Sequence, residues 1–338
     1  MQWAPADFYV RDGHRLRCTL CPHACELDDG DVGFCQVRRR IGERMETATQ
    51  ATSVRHLSPV ERKPLYHFRP GIQVLTIASP GCSFTCHYCQ NYRISQYGRV
   101  PEAVWSVEPA SPEELVATAV ACDRAIGLSY SEPSLAAELT EAIAEHARPA
   151  GVDLLWKTNG YLTPSAARRL VPCLAAVNLD IKTADERQHQ KLTGASLAPV
   201  HEFLRLLVNE GVWVEVSTPL IPGFNDQRDS LSRISERLCS LSADIPWHLL
   251  RFTPEYHMST YRPTHPEELR RAVDIAHEGG LNHVYVERAL GQAARCTFCP
   301  RCGSEVVTRG LWKALAVGLS SEGACHSCGF SIAGRWGR

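Results

Sequence analysis

The chain of 338 residues has no run of apolar residues long enough to cross a bilayer, which argues against a helical membrane span. Its first residues also lack a basic stretch followed by an apolar core, so we expect no signal peptide and a cytoplasmic protein. The 36 basic and 37 acidic residues nearly cancel, to a net charge of -1, and leave no global positive field for gathering nucleic acid. The composition therefore predicts a globular protein without a membrane partner, and nucleic acid is an unfavoured partner.

Cysteine, by contrast, is abundant, with 15 residues in the chain. The cytosol opposes structural disulfides, and an odd number cannot pair completely, so clustered cysteines predict metal ligands. Cys122, Cys173 and Cys239 stand alone and are expected to behave as small buried hydrophobic residues. The other cysteines form three groups: Cys18, Cys21, Cys25 and Cys35; Cys82, Cys86 and Cys89; Cys296, Cys299, Cys302, Cys325 and Cys328.

Between the second and third cysteine groups, short apolar runs alternate with amphipathic stretches in six strand–helix units. Such alternation predicts an α/β fold with a parallel sheet and right-handed crossovers. Six units are too few for a closed eightfold barrel, so we expect a partial (β/α)6 TIM-type barrel. The predicted domains are an N-terminal cysteine-rich module at residues 1–70, the partial barrel at 71–292, and a zinc-ribbon-like module at 293–338.

The central triplet Cys82, Cys86 and Cys89 has the spacing C-x3-C-x2-C and follows the first strand of the predicted barrel. Three thiolates can hold a four-iron cluster by three corners, which leaves one iron open for chemistry. A structural zinc site is the alternative, but it would need His87 as an awkwardly placed fourth ligand. Ligands of such folds lie at the carboxyl ends of the strands, where this loop is expected.

Around the triplet the sequence reads Gly81-Cys-Ser-Phe-Thr-Cys-His-Tyr-Cys-Gln-Asn91, followed by Ile94-Ser95. This motif resembles that of the radical S-adenosylmethionine (SAM) superfamily, and more closely its pyruvate formate-lyase activating enzyme branch. Segments at 18–25, 33–38 and 59–68 extend the likeness to the radical SAM enzymes of the AmmeMemoRadiSam system, over nearly the whole chain.

The resemblance implies a 4Fe-4S cluster and SAM as cofactors. It implies that Cys82, Cys86 and Cys89 hold the cluster, at which SAM is reductively cleaved to a 5'-deoxyadenosyl radical that abstracts hydrogen from a substrate. It also implies a reductant such as flavodoxin or ferredoxin, and it favours a protein substrate or a Memo-like partner. The residues expected to bind the cofactor are Tyr88, Glu132, Asn159, Asp180 and Lys182.

Each of these polar residues also has a purely structural interpretation. Asp180 and Lys182 are two apart on a predicted strand and so share a face, but they could form a local ion pair at the strand end. Glu132 could stabilise the start of a helix, and Asn159 could serve the turn before Gly160. His248 and Arg251 could face a substrate, although an interior hydrogen-bonded histidine is equally compatible with the sequence.

The two flanking cysteine groups predict closed metal sites. Cys299, Cys302, Cys325 and Cys328 have zinc-ribbon-like spacing, with an auxiliary iron–sulfur cluster as the alternative. Cys296 departs from the family pattern and could replace a ligand or remain a spare thiol. For Cys18, Cys21, Cys25 and Cys35 the sequence leaves open zinc, a second cluster or unligated thiols.

Two other functions remain open from the sequence. The first is radical modification of RNA or a small molecule, for which the C-terminal module offers Arg301, Arg309, Trp312, Lys313, Arg335 and Trp336. The second is a non-catalytic binding protein stapled by metal. The intact triplet and the Asp180 and Lys182 pair argue against that second function.

Overall fold

The computed structural model describes residues 3–52, 54–103, 108–109 and 111–337. Its N-terminal part is a pair of small antiparallel three-stranded sheets, ordered β2-β3-β4 and β1-β6-β5. Within the described ranges, no helix has both the length and the apolar character needed to cross a membrane. The strands of this part are β1 (Ala4–Pro5), β2 (Tyr9–Asp12), β3 (Arg15–Cys18), β4 (Glu26–Leu27), β5 (Arg38–Ile41) and β6 (Arg44–Thr47).

The core of the molecule is an eight-stranded sheet with the order β16-β15-β14-β13-β12-β11-β9-β8. Neighbouring strands are parallel except for the edge strand β8, which is antiparallel to β9. A further short pair joins β7 to β10. The strands from β7 onward are β7 (Ala51–Thr52), β8 (Val54–Pro59), β9 (Gln73–Ala78), β10 (Glu108–Pro109), β11 (Ala125–Leu128), β12 (Asp153–Thr158), β13 (Ala176–Asp180), β14 (Trp213–Leu220), β15 (Trp247–Arg251) and β16 (Val284–Tyr285).

Helices connect the parallel strands and confirm the expected α/β partial barrel, with β8 and β16 as the two ends of the open sheet. Several begin where the sequence predicts, because a side-chain oxygen caps the first turn: Ser111 accepts from the Glu114 N–H at 3.3 Å. The helices are α1 (Tyr92–Ser95), α2 (Pro112–Val120), α3 (Ala137–Ala147), α4 (Pro164–Leu170), α5 (Glu186–Thr193), α6 (Ala198–Asn209), α7 (Arg228–Cys239) and α8 (Pro266–Glu278).

A buried carboxylate ties the segment after β8 to the inside of the sheet. Glu215 on β14 is wholly buried and accepts hydrogen bonds from the backbone N–H groups of Tyr66 at 2.9 Å and His67 at 2.7 Å. It also accepts from His248 Nε2 at 2.6 Å and from Trp213 Nε1 at 3.0 Å. His248, which could have faced a substrate, therefore bonds within the protein interior, where burial lowers its pKa.

The C-terminal part packs against the barrel through a buried arginine. It contains β17 (Thr297–Phe298), β18 (Glu305–Arg309) and β19 (Ala314–Val317) in one antiparallel sheet. Arg309 is wholly buried and donates to the carbonyl of Tyr66 and to Thr297 Oγ1. Trp336 is also buried and donates to the Ile332 carbonyl at 2.7 Å. Two of the six residues considered for RNA contact therefore lie in the interior.

Replacing Glu215 by alanine should lower the free energy of unfolding by about 3 kcal/mol or more, because four buried donors lose their acceptor. Urea-induced unfolding followed under anaerobic conditions measures this change. Glu236→Ala, at an exposed position on α7, is the control and should stay within about 0.5 kcal/mol of the wild type. Equal stability of the two variants would contradict the anchoring role.

Candidate functional site

One cavity of about 330 Å³ lies at the carboxyl ends of the parallel strands. All the predicted catalytic and cofactor-binding residues line it: Cys82, Cys86, Tyr88, Cys89, Glu132, Asn159, Asp180 and Lys182. A larger groove of about 840 Å³ lies near Arg69, Asp153 and Trp336, close to the amino end of β12, and includes none of these residues. Because only the smaller cavity combines thiols with convergent charged groups, it is the candidate active site.

The three cysteines of the triplet lie in the loop between β9 and α1 and are half-buried. Cys82 Sγ accepts from the Phe84 N–H at 3.3 Å, and Cys89 Sγ lies 3.1 Å from Ser95 Oγ. Burial raises the pKa of all three thiols, that of Cys86 to about 12. Thiolates in such a place need a positive charge beside them, and the donor set of three converging sulfurs fits an iron–sulfur cluster.

Glu132 is wholly buried in the cavity wall, where burial raises its pKa. Its carboxylate accepts from the N–H groups of Asn159 at 2.8 Å and Ser134 at 3.0 Å. It thereby caps the 3-10 helix Pro133–Ala136, which is the structural interpretation of this residue, while also lining the cavity. The two interpretations of the sequence are therefore compatible in space.

Asp180 is shared by two ammonium groups inside the barrel. Lys182 Nζ lies 2.8 Å from Asp180 Oδ2, and Lys157 Nζ contacts Asp180 Oδ1 and lies 2.6 Å from Asn178 Oδ1. Although burial opposes its charge, the two lysines hold the pKa of Asp180 below its usual value. The ammonium groups of Lys157 and Lys182 and the carboxylate of Asp180 together carry one net positive charge, which faces the cavity.

Sequence reasoning missed Lys157, although a lysine that directly follows the apolar run of strand β12 was an available signal. The sequence analysis also predicted that Lys182 lies on a strand, whereas β13 ends at Asp180. Lys182 is instead held by the loop after β14, because Asn225 Nδ2 donates to the Lys182 carbonyl at 2.7 Å and to the Pro219 carbonyl at 2.8 Å. This loop thus fixes the backbone of a cavity residue.

Two further groups show how the cavity is suited to a ligand. The Tyr88 hydroxyl is buried and has no hydrogen-bond partner among the described residues, while its ring lies 5.8 Å from Lys182 Nζ. Asn159 Nδ2 lies 3.6 Å from Cys82 Sγ and 3.1 Å from Ser83 Oγ, so it borders the triplet directly. An unpartnered hydroxyl beside an excess positive charge is the environment that an anionic polar ligand such as an amino-acid carboxylate would complete.

The C-terminal cysteines form a separate and closed site. The sulfurs of Cys299, Cys302, Cys325 and Cys328 all lie within 4.8 Å of one another, with Cys299–Cys328 at 3.6 Å and Cys302–Cys325 at 3.8 Å. Tetrahedral zinc with bonds of about 2.3 Å separates its sulfurs by roughly 3.8 Å, so the four thiols fit one such ion. Cys296 lies outside the set, and its sulfur accepts from the Arg309 N–H at 3.4 Å.

Comparison with known proteins identifies relatives across the whole chain. The sequence model of the radical SAM superfamily matches residues 76–233. An uncharacterized protein of Methanocaldococcus jannaschii is 33% identical over 332 residues, which cover 97% of this chain and 98% of that protein. The pyruvate formate-lyase 1-activating enzyme of Escherichia coli is 24% identical over 234 residues, covering 62% of this chain and 91% of the enzyme.

A shorter match relates the chain to the isethionate sulfite-lyase activating enzyme of Nitratidesulfovibrio vulgaris, with 34% identity over 135 residues, 38% of this chain and 44% of the enzyme. Among solved structures, Streptococcus suis SuiB bound to S-adenosylmethionine superposes with a TM-score of 0.50 at 12% identity, over 68% of this chain and 53% of SuiB. At that identity the likeness concerns the fold alone.

Replacing Cys325 by serine should remove about one zinc per chain from the purified protein, because three thiolates no longer close a tetrahedral site. Elemental analysis of protein purified with and without added zinc measures this. Cys296→Ser is the matched control and should keep its zinc, since its sulfur lies outside the four-cysteine set. Loss of zinc from both variants, or from neither, would contradict this metal assignment.

Proposed function

Because this chain belongs to the radical SAM superfamily and its relatives indicate an enzyme, we propose that its cavity residues bind a 4Fe-4S cluster and SAM for radical chemistry. The observation that carries the proposal is the convergence of the three thiols of the triplet, Glu132, Asn159 and the Asp180–Lys182 pair in one cavity. Cys82, Cys86 and Cys89 are assigned to the cluster, and Tyr88, Glu132, Asn159, Asp180 and Lys182 to SAM.

A cluster held by Cys82, Cys86 and Cys89 would supply the electron for reductive cleavage of SAM, and hence a 5'-deoxyadenosyl radical able to take a hydrogen atom from a substrate. The protein contributes orientation and the exclusion of water. Asn159 donates an N–H to Cys82 Sγ, and hydrogen bonds to cluster sulfurs tune the reduction potential. No general base is assigned, because hydrogen-atom abstraction does not require one.

The charges in the cavity support a specific orientation for SAM. Lys157 and Lys182 share one carboxylate, so their remaining positive charge is available for the SAM carboxylate. The Tyr88 hydroxyl, unpartnered among the described residues, can donate to the same group. Glu132 supplies negative charge in the same cavity, where it suits the SAM amino group. These opposite charges would align the amino-acid part of SAM with the open iron.

The finer assignment is the AmmeMemoRadiSam-system branch, proposed from the motifs at 18–25, 33–38 and 59–68. The names of two relatives describe activating enzymes of pyruvate formate-lyase and isethionate sulfite-lyase, and by analogy we assign a protein substrate to this chain. A reductant of the flavodoxin or ferredoxin class, a Memo-like partner, zinc at the C-terminal cysteines and a cytoplasmic location complete the proposal.

Replacing Cys86 by alanine should abolish formation of 5'-deoxyadenosine, because two thiolates cannot hold the cluster by three corners. The measurement is anaerobic reconstitution with iron and sulfide, followed by dithionite and SAM and chromatographic detection of the product. Cys239→Ala is the control and should retain the activity, since its thiol contacts the Gly279 carbonyl outside the cavity. Cleavage that persists in Cys86→Ala would refute the assignment, and inactivity of fully reconstituted wild type would favour a non-catalytic protein.

Replacing Asp180 by asparagine should reduce the rate of SAM cleavage at least about tenfold while leaving the cluster iron in place. The carboxylate is the shared partner of two lysines, and a lost charge-assisted hydrogen bond is worth about 1.5–3 kcal/mol. Initial rates at saturating SAM, together with iron content, test this. The control Asp274→Asn, at an exposed position on α8, should cleave SAM at the wild-type rate. An unchanged rate in Asp180→Asn would contradict the assignment of Asp180 to SAM binding.

A further inference from the structure

The four cysteines of the N-terminal part form a second buried thiol cluster that the proposed radical chemistry does not use. Cys18, Cys21 and Cys35 are buried and Cys25 is half-buried. The Cys18 N–H donates to the Cys25 carbonyl at 2.9 Å, the Ala24 N–H to the Cys21 carbonyl at 3.0 Å, and the N–H of Phe34, the residue before Cys35, to Cys25 Sγ at 3.3 Å. The four thiols, drawn from β3, the turn before β4 and the segment before β5, are therefore close neighbours.

The Cys25 sulfur of this cluster accepts a backbone hydrogen bond. The Phe34 N–H donates to Cys25 Sγ at 3.3 Å, just as the Phe84 N–H donates to Cys82 Sγ in the central triplet. Such hydrogen bonds stabilise thiolates, the form that binds metal.

The distances between these sulfurs distinguish a zinc site from an iron–sulfur cluster. Among the described residues, only the C-terminal four cysteines bring three or more ligand atoms within 4.8 Å of one another, as a single tetrahedral ion requires. The N-terminal cysteines, like Cys82, Cys86 and Cys89, are more widely spread. Ligands of a four-iron cluster bind separate irons and so stand farther apart than ligands of one ion. The wider arrangement favours a cluster over zinc.

A buried arginine supplies positive charge beside the thiols. Arg38 is almost wholly buried and pairs with Glu138 at 3.0 Å. Its carbonyl accepts from the Gly33 N–H at 2.8 Å, and a Cβ added at Gly33 would lie 3.7 Å from Cys25 Sγ. Its Nε has no hydrogen-bond partner among the described residues. A buried N–H without a partner, next to sulfur ligands, is what a bound cluster would satisfy through N–H···S contacts.

The segment around Cys35 packs directly against the loop of the central triplet. Gly81 has a φ of +87°, and a Cβ added there would lie 2.8 Å from Val37 Cγ1 and 3.0 Å from the Cys35 carbonyl oxygen. Arg99 joins the two segments, since it donates to the carbonyls of Phe34 and Cys82. The chain around Cys35 is therefore in contact with the residue that precedes Cys82.

We propose that Cys18, Cys21, Cys25 and Cys35 hold a second 4Fe-4S cluster, which passes electrons to the cluster of the central triplet. Four protein ligands leave no iron open, so the second cluster is limited to electron transfer. In each step it loses one electron, the first cluster gains that electron, and a protein donor of the ferredoxin class reduces the second cluster again. The relay, though not the presence of the second cluster, rests on the proposed function.

Iron, sulfide and zinc counts after anaerobic reconstitution test the site itself. Wild type should hold about eight irons per chain. The triple variant Cys82→Ala/Cys86→Ala/Cys89→Ala should hold about four irons, and so should the double variant Cys18→Ser/Cys21→Ser. The control Cys122→Ser/Cys239→Ser should keep about eight. A second zinc in place of iron in the triple variant, beyond the one expected at the C-terminal cysteines, or no iron in that variant despite a native circular dichroism spectrum, would overturn the second cluster. If the triple variant loses all its iron while Cys18→Ser/Cys21→Ser keeps four irons, the second cluster is contradicted but the proposed function still stands.

Paramagnetic resonance and donor dependence test the relay. The reduced wild type should show a spectrum broadened by coupling between two clusters, and each variant should show a simple spectrum of one. SAM cleavage driven by a reduced ferredoxin should fall at least tenfold in Cys18→Ser/Cys21→Ser, with less than a threefold loss when dithionite is the donor. Equal ferredoxin-driven rates in this variant and the wild type would overturn the relay. Absence of cleavage in every protein, wild type included, would instead count against the proposed function.

Discussion

Parallel strands end at the same edge of a sheet, and this constraint brings the candidate site together. Residues following β9, β11, β12 and β13 are far apart in the chain, yet their side chains line one cavity. The right-handed crossovers place the helices outside, so the strand ends remain the available place for a ligand. Every cavity group discussed above depends on that arrangement.

Within the cavity, buried charge has to be balanced. Asp180 stays ionised because two lysines face it, and those lysines in turn exceed it by one positive charge. Glu215 performs a comparable role deeper in the barrel, where four donors converge on one carboxylate and fix the segment around Tyr66. The C-terminal part reaches the same segment through Arg309. The barrel interior and the C-terminal part are thus connected through the Tyr66 segment by polar contacts, each of which is costly to remove alone.

Much of the fold and the site could be predicted because the signals are local. Alternating strand and helix patterns indicated the partial barrel, and cysteine spacing separated the triplet from the C-terminal set. Lys157 and Asn225 could not be predicted in the same way, because their partners Asp180 and Lys182 lie on other elements. Arg309 and Trp336 were considered surface residues, since composition does not reveal that packing against the barrel buries them.

The sequence by itself determined which thiols could act together as metal ligands, because spacing along the chain limits which thiols can share a metal. It also determined the class of fold. Tertiary structure alone decided how far apart those thiols lie. It brought Cys299 and Cys328 to 3.6 Å, left the N-terminal sulfurs more widely spread, and set the Cys35 segment against Gly81. The physical reason is that these distances follow from packing between segments remote in sequence, which residue spacing does not encode.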